Sequence, residues 1–93
     1  MNNFCRSHLF ISGRVQGVFF RRWSQINAEK FKVNGFVRNL SDKRVEMVLE
    51  GEKERVEKMI NCAKRGPIFA KVEKIDINWE EYKGEFKGFE IRY

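Results

Sequence analysis

Gly13-Arg14-Val15-Gln16-Gly17 is the stretch of this sequence whose residue types and spacing most suggest chemistry. Two glycines permit backbone torsions that turn successive N–H groups into one concavity. Phe20 and Arg21 follow and open a helical pattern, whose first turn adds unpaired N–H groups and the positive end of a helix dipole. Together these make an anion site of phosphate size. Arg21 opposes the dipole in that first turn, and the conflict disappears if an anion lies between the helix end and the guanidinium. The same loop reads equally as a plain tight turn with Arg21 in solvent, because glycine loops before helices are common.

The other reactive side chains are scattered. His8, the sole histidine, falls in the middle of a strand pattern and reads as a surface or packing residue. Asp42 and Asp76 lie in a turn and a strand without an evident partner, and Ser12, Ser24 and Ser41 have no base nearby in sequence. Cys5 and Cys62 fit no redox or metal spacing and read as two buried or half-buried thiols, unpaired in a reducing compartment. No His/Cys/Asp grouping has metal-ligand spacing, so neither a metal nor another cofactor is expected. Asn39 on its own reads as a strand-end or turn residue.

The elements that must position these residues are marked by period. His8–Ser12 is rich in β-formers and predicts a first strand, ending at Gly13. Phe20, Ser24, Ala28 and Phe31, with Trp23 beside them, fall at helical spacing and predict a helix from Phe20 to Phe31. Asn34-Gly35 signals a turn. A second strand follows at Phe36–Leu40, a short turn at Ser41-Asp42-Lys43, and a third strand in which Val45, Met47 and Leu49 alternate with Glu46, Val48 and Glu50. Val56, Met59, Ile60 and Ala63 make the stripe of a second helix, Glu52 to Lys64, closed by Gly66 and Pro67. Ile75, Ile77 and Trp79 predict a fourth strand; Phe89, Ile91 and Tyr93 predict a short last one. The charged segment from Glu80 to Glu85 connects them. The order is that of a split βαβ, ferredoxin-like βαββαβ sandwich: an α+β fold with an antiparallel sheet, two helices on one face and solvent on the other.

Composition sets the class. The 93 residues suffice for one compact domain, 1–93, and the hydrophobic fraction of 42 %, with nine Phe, two Trp and two Tyr, is enough to build a core. Met1–Arg6 lacks the apolar run of a signal peptide, and no segment approaches the roughly 20 apolar residues of a membrane helix. A soluble cytoplasmic protein without a membrane role is the expectation. Nineteen Lys and Arg against thirteen Asp and Glu give a formal charge of +6, which suits an anionic partner without choosing among a phosphate compound, nucleic acid and simple solubility.

The block Gly13-Arg14-Val15-Gln16-Gly17-Val18-Phe19-Phe20-Arg21 closely resembles the signature of the acylphosphatase family. Gly35-Phe36-Val37-Arg38-Asn39, followed by Val45-Glu46, resembles that family's second signature at the matching distance. Gly66 to Asp76 and Phe89 to Tyr93 look like its later segments, so the resemblance covers essentially the whole chain. It implies the ferredoxin-like sandwich and the hydrolysis of small acyl phosphates without a cofactor. It implies that the backbone N–H groups of Gln16, Gly17, Val18, Phe19 and Phe20 cradle the phosphoryl oxygens. It further implies that Arg21 binds two of those oxygens in its planar fork, and that the Asn39 carboxamide orients the attacking water. Inorganic phosphate is then both product and inhibitor. One departure is visible: the family usually has Gly where this chain has Lys43, a turn position that favours positive φ.

Two other readings compete. RNA-recognition modules share the fold, and the chain is basic and aromatic; but those modules stack bases on aromatics of the first and third strands. The third strand here has none, and Lys87-Gly88-Phe89 lies on the wrong strand. Acylphosphatase-like domains also stand at the front of larger carbamoyl-transferring proteins; with the last strand ending at Tyr93, a free-standing monomeric enzyme that does not bind nucleic acid is expected.

Overall fold

The structure, a computed structural model, describes residues 3–93. Met1 and Asn2, part of the N-terminal stretch read for a targeting signal, lie outside the described residues. The elements follow in the order β1 (Phe4–Arg14), α1 (Phe20–Phe31), β2 (Asn34–Asn39), β3 (Val45–Glu52), α2 (Lys53–Arg65), β4 (Lys71–Glu80) and β5 (Phe89–Arg92). Both helices match their stripes almost to the residue. Asn34-Gly35, expected as a turn, begins β2 instead. The reversal falls at Lys32, which caps α1 in the left-handed region and returns its N–H to the last turn. No helix is long and apolar enough to cross a membrane among the described residues.

The sheet runs β4-β1-β3-β2-β5. β1 pairs antiparallel with β3 and with β4, and β2 antiparallel with β3. β5 pairs parallel with β2, so the sheet is mixed at one edge, not antiparallel throughout as expected. The cause is the connection. Residues 81–88 carry the chain from the β4 edge to the opposite edge, so β5 enters beside β2 and running with it, where a hairpin would have forced antiparallel pairing.

One sheet face meets the helices. Leu9, Ile11, Val37, Met47 and Leu49 face Val56, Met59, Ile60 and Ala63 of α2 and Phe20 and Ala28 of α1 in one cluster. Each large apolar side chain withdrawn from water contributes about 1.5–3 kcal/mol.

The second face is not simply solvated. Arg6, Glu46 and Glu50 are buried there. Arg6 Nη1 lies 3.2 Å from Glu50 Oε2, and its Nε donates to Glu80 Oε1 at 2.9 Å. His8 sits between Glu46, at 2.6 Å, and Glu80, at 3.4 Å, and Arg38 pairs with Glu46. Glu50 also accepts the backbone N–H groups of Lys83 at 2.9 Å, Gly84 at 3.1 Å and Glu85 at 3.1 Å. Phe86 packs on Phe36, and the Arg92 guanidinium stacks on both rings. The solvent-facing expectation fails because opposite charges on neighbouring strands neutralise one another and the 81–88 segment covers them.

Candidate active site

The site follows from strand direction. β2 and β1 are each antiparallel to β3, and β5 is parallel to β2, so β1, β2 and β5 all point the same way. Their C-terminal ends therefore meet at one end of the sheet. The loop after β1, the start of α1, Asn39 at the end of β2 and Tyr93 after β5 all lie there. Val45 pairs with both Ile11 and Asn39, which fixes Asn39 relative to the strand feeding the loop.

The loop is shorter than the glycines suggested. Gly13 lies inside β1, at φ +125°, beside a register shift between Ser12 and Gly13. A Cβ there would sit 2.1 Å from the Lys71 carbonyl oxygen, so Gly13 serves the close approach of β4 and not an anion. The loop proper is Val15–Phe19. Val15 and Phe20 are buried, and Val18 packs against the core. These three anchors hold the loop from within, and Gly17 and Phe19 between them remain exposed. Gly17 has φ +73° and Phe19 φ +68°. The left-handed conformation costs a bulky side chain about 1–2 kcal/mol, and strain of this kind gathers at ligand sites. Phe19 is also the N-cap of α1 and makes no side-chain capping bond. The first turn holds no acid and carries Arg21 and Arg22, so its free N–H groups face an environment suited to an anion.

A cavity of about 180 Å³ opens at this point. Gly17, Phe19, Phe20, Arg21 and Asn39 all line it. Pockets for drug-sized ligands start at about 300 Å³, and a water occupies about 30 Å³ of liquid. The cavity is large enough for a phosphoryl group with a water. The Arg21 guanidinium lies over the Tyr93 ring, 4.7 Å from its centroid. Asn39 Oδ1 is buried and accepts no hydrogen bond from any described residue.

Five of the seven expected site residues thus line one cavity. Gln16 and Val18 do not: Val18 turns to the core, and the Gln16 side chain reaches to the β2–β3 turn, its Nε2 donating to Leu40 O at 2.8 Å and Arg44 O at 2.9 Å. Ile91 and Tyr93 complete the wall and were not singled out from sequence. Only the parallel β2–β5 register brings them there, and no local pattern shows that register.

The rest of the second block is structural. Arg38 and Glu46 lie opposite each other across β2 and β3 and pair on the far face. Burial pushes the Glu46 carboxyl up, but hydrogen bonds from Arg38 and His8 outweigh it and hold the group below the usual carboxylate range. Lys43 adopts φ +76°, so it takes the conformation that Gly would supply. Leu40 N donates to Arg44 O at 2.8 Å and Lys43 N to Leu40 O at 3.1 Å, closing a three-residue hairpin loop. Asp42, expected to lack a partner, accepts from Arg44 N at 3.2 Å and Arg44 Nε at 2.8 Å. These bonds, the backbone one first, hold its carboxyl below the ordinary value. Among the described residues no three His, Cys, Asp or Glu side chains gather as a metal centre requires.

Fold and site together define a small α+β sandwich with a strained loop, Arg21 and Asn39 around a cavity at one sheet end. The family model for acylphosphatase matches residues 7–91. The chain is 54 % identical over 87 residues to an acylphosphatase of Pyrobaculum islandicum, covering 92 % of each. It is 50 % identical over 91 residues to one of Roseiflexus sp., covering 98 % of each. The crystal structure of acylphosphatase from Bacillus subtilis matches with a TM-score of 0.92 at 34 % identity, over 96 % of this chain and 99 % of that one. The chain belongs to the acylphosphatase family.

Proposed function

We propose that this enzyme hydrolyses the carboxyl–phosphate anhydride of a small acyl phosphate by positioning alone. The observation that carries the reading is the meeting in one cavity of the loop, Arg21 and the buried, unpartnered Asn39 Oδ1. Backbone N–H groups of Gln16 to Phe20 hold the phosphoryl oxygens, and Arg21 takes two of them in its fork and balances their charge. A water donates one O–H to Asn39 Oδ1 and presents its lone pair to phosphorus. As the water oxygen bonds to phosphorus, the bond from phosphorus to the acyl oxygen breaks. The carboxylate leaves without needing a proton, and the water's proton passes to a phosphoryl oxygen. Little covalent chemistry falls to the protein, so placement and charge supply the rate. That accounts for a site without His, Cys or carboxylate in its wall.

The same reading makes inorganic phosphate a competitive inhibitor, since the product fits the same loop. It makes metal and cofactor unnecessary. It takes the monomer as sufficient. It takes the cytoplasm as the setting, which suits the free Cys5 and Cys62. RNA binding is disfavoured by the covered outer face, where Glu46, Glu50 and the 81–88 segment occupy the surface that bases would need. The test is turnover of a synthetic aryl acyl phosphate by the protein with and without chelator. The expected result is hydrolysis indifferent to chelator, inhibited by inorganic phosphate, with the Gly17, Val18 and Phe19 amides shifting in NMR titration. Activity lost in chelator and restored by a divalent ion overturns the mechanism.

A further inference from the structure

We propose that the Gln16 side chain is a positioning residue for this reaction: it locks the phosphate loop to the neck of the β2–β3 hairpin and so sets how the bound phosphoryl group faces the water on Asn39. The proposal rests on the reading of the site given above and adds a residue whose side chain touches neither phosphate nor water.

The sheet ties the end of β2 to β1 through β3, but it does not hold the Val15–Phe19 loop, which lies beyond the last paired residue of β1. The loop follows β1 and Asn39 ends β2, and β3 lies between them. Two strand spacings are about 10 Å, so the two halves of the site belong to strands that share no hydrogen bonds. Gln16 spans the gap. Its Nε2 donates to Leu40 O at 2.8 Å and to Arg44 O at 2.9 Å, which uses both donors of the carboxamide. Among the described residues these are the side-chain hydrogen bonds that join the Val15–Phe19 loop to the hairpin. The two acceptors are also the atoms that close the hairpin, through Lys43 N to Leu40 O and Leu40 N to Arg44 O. Leu40 follows Asn39 directly, with about 3.8 Å between the two Cα atoms, so holding the Leu40 carbonyl restrains the end of β2 that carries Asn39. At its other end Gln16 sits between Val15, 1 % exposed, and Gly17, which lines the cavity. The side chain thus connects a fixed core anchor, the anion loop and the water-holding residue.

The chemistry selects the residue type. Two carbonyl oxygens on two strands need two donors from one terminal nitrogen. Glutamate offers acceptors to acceptors, and methionine fills the space without donating. In-line attack is sensitive to small displacements, with about 1 Å of misplacement costing on the order of a hundredfold in rate. Loss of the link therefore falls on turnover. The anion cradle is backbone and survives, so phosphate affinity holds.

The experiment compares Gln16→Met and Gln16→Glu with the parent, measuring kcat on an aryl acyl phosphate and the inhibition constant of inorganic phosphate. For Gln16→Met, kcat falls about 10- to 100-fold while the phosphate constant stays within about threefold. In an Asn39→Ala background the same substitution has little further effect, because the residue it positions is gone. Gln16→Glu regains activity relative to the parent as pH falls, since a protonated carboxyl donates one of the two bonds. That profile is read on the folded fraction and holds even if Gln16→Met unfolds. A parental kcat in Gln16→Met, equal losses in kcat and phosphate affinity, or full additivity with Asn39→Ala overturns the proposal. A parent that does not turn over acyl phosphates overturns the reading of the site itself, which is a separate result.

Discussion

The Arg21 guanidinium lies over the Tyr93 ring at 4.7 Å from the centroid, so the cation of the proposed phosphate site is held by an aromatic face rather than a carboxylate. That choice matters chemically. A carboxylate partner would compete with phosphate for the guanidinium, whereas a ring restrains its plane and leaves the N–H fork free. Tyr93 is 94 % exposed, so the stack is worth the exposed-site figure of about 0.5–1 kcal/mol. Tyr93→Ala should weaken phosphate inhibition about two- to fivefold, and Tyr93→Phe should keep parental affinity. Phosphate inhibition constants of the two variants decide it; equal losses in both would point to the hydroxyl instead of the ring.

Asn39 and Arg21 should separate cleanly. Asn39→Ala removes the acceptor proposed for the water but leaves the proposed anion loop intact. Turnover should drop about a hundred- to thousandfold, or roughly 2.7–4 kcal/mol in the barrier, at nearly unchanged phosphate affinity. Arg21→Lys should lose affinity and rate together, since an ammonium cannot form the bidentate fork. A melt close to the parent's is required of each variant, because Asn39 adjoins the hairpin. If Asn39→Ala loses binding as fast as turnover, its assigned role is wrong.

Much of this was legible in the chain because periodicity reports burial. The stripe of Val56, Met59, Ile60 and Ala63 is buried as its spacing required. The loop and Arg21 stood out because glycines and a helix start are local signals. What stayed hidden depends on partners distant in sequence. Glu50 reads as a solvent-side residue of an alternating strand, and the N–H groups that bury it come from 33 to 35 residues later. Gln16 reads as a loop amide, and its acceptors lie 24 and 28 residues away. Tyr93 reaches the cavity through a parallel pairing that nothing near it encodes.

Lys43 offers a test of stored strain. At φ +76° a lysine is about 1–2 kcal/mol above glycine in conformational energy. Glycine adds about 0.4–1 kcal/mol of unfolded-state entropy in opposition. Lys43→Gly should therefore leave stability unchanged or raise it by up to about 1.6 kcal/mol. Ser41→Gly in the same turn gains the entropy penalty without positive-φ relief and should destabilise. Denaturant midpoints at constant slope measure both; destabilisation of equal size would show that Lys43 carries no strain.

The outer-face carboxylates should set the acid limit of the fold. Glu46, Glu50 and Glu80 all have pKa values held below the ordinary 4.5. For Glu50, burial alone would raise it, and the backbone N–H of Lys83, then Arg6, then the N–H groups of Glu85 and Gly84 outweigh that effect. A carboxylate depressed in the folded state binds protons more readily when unfolded. Its contribution is therefore complete above the unfolded value and is lost as pH falls through the folded one. Stability should be flat from neutral pH down to about 4.5 and decline steeply below it. Glu50→Ala leaves three backbone N–H groups without their acceptor and takes from Arg6 one of its three carboxylate partners, at a site 2 % exposed. A buried donor left without its acceptor typically costs about 1–3 kcal/mol, a large share of the 5–15 kcal/mol that holds a domain together. Glu50→Gln keeps one acceptor oxygen and should lose less, yet it removes the titration, so its stability should fall less steeply below about pH 4.5 than the parent's. Hydrogen exchange adds a local readout, because the Lys83, Gly84 and Glu85 amides should lose protection in both variants before the sheet does. An unaltered acid slope in Glu50→Gln, with those amides still protected, would place the acid limit elsewhere in the molecule.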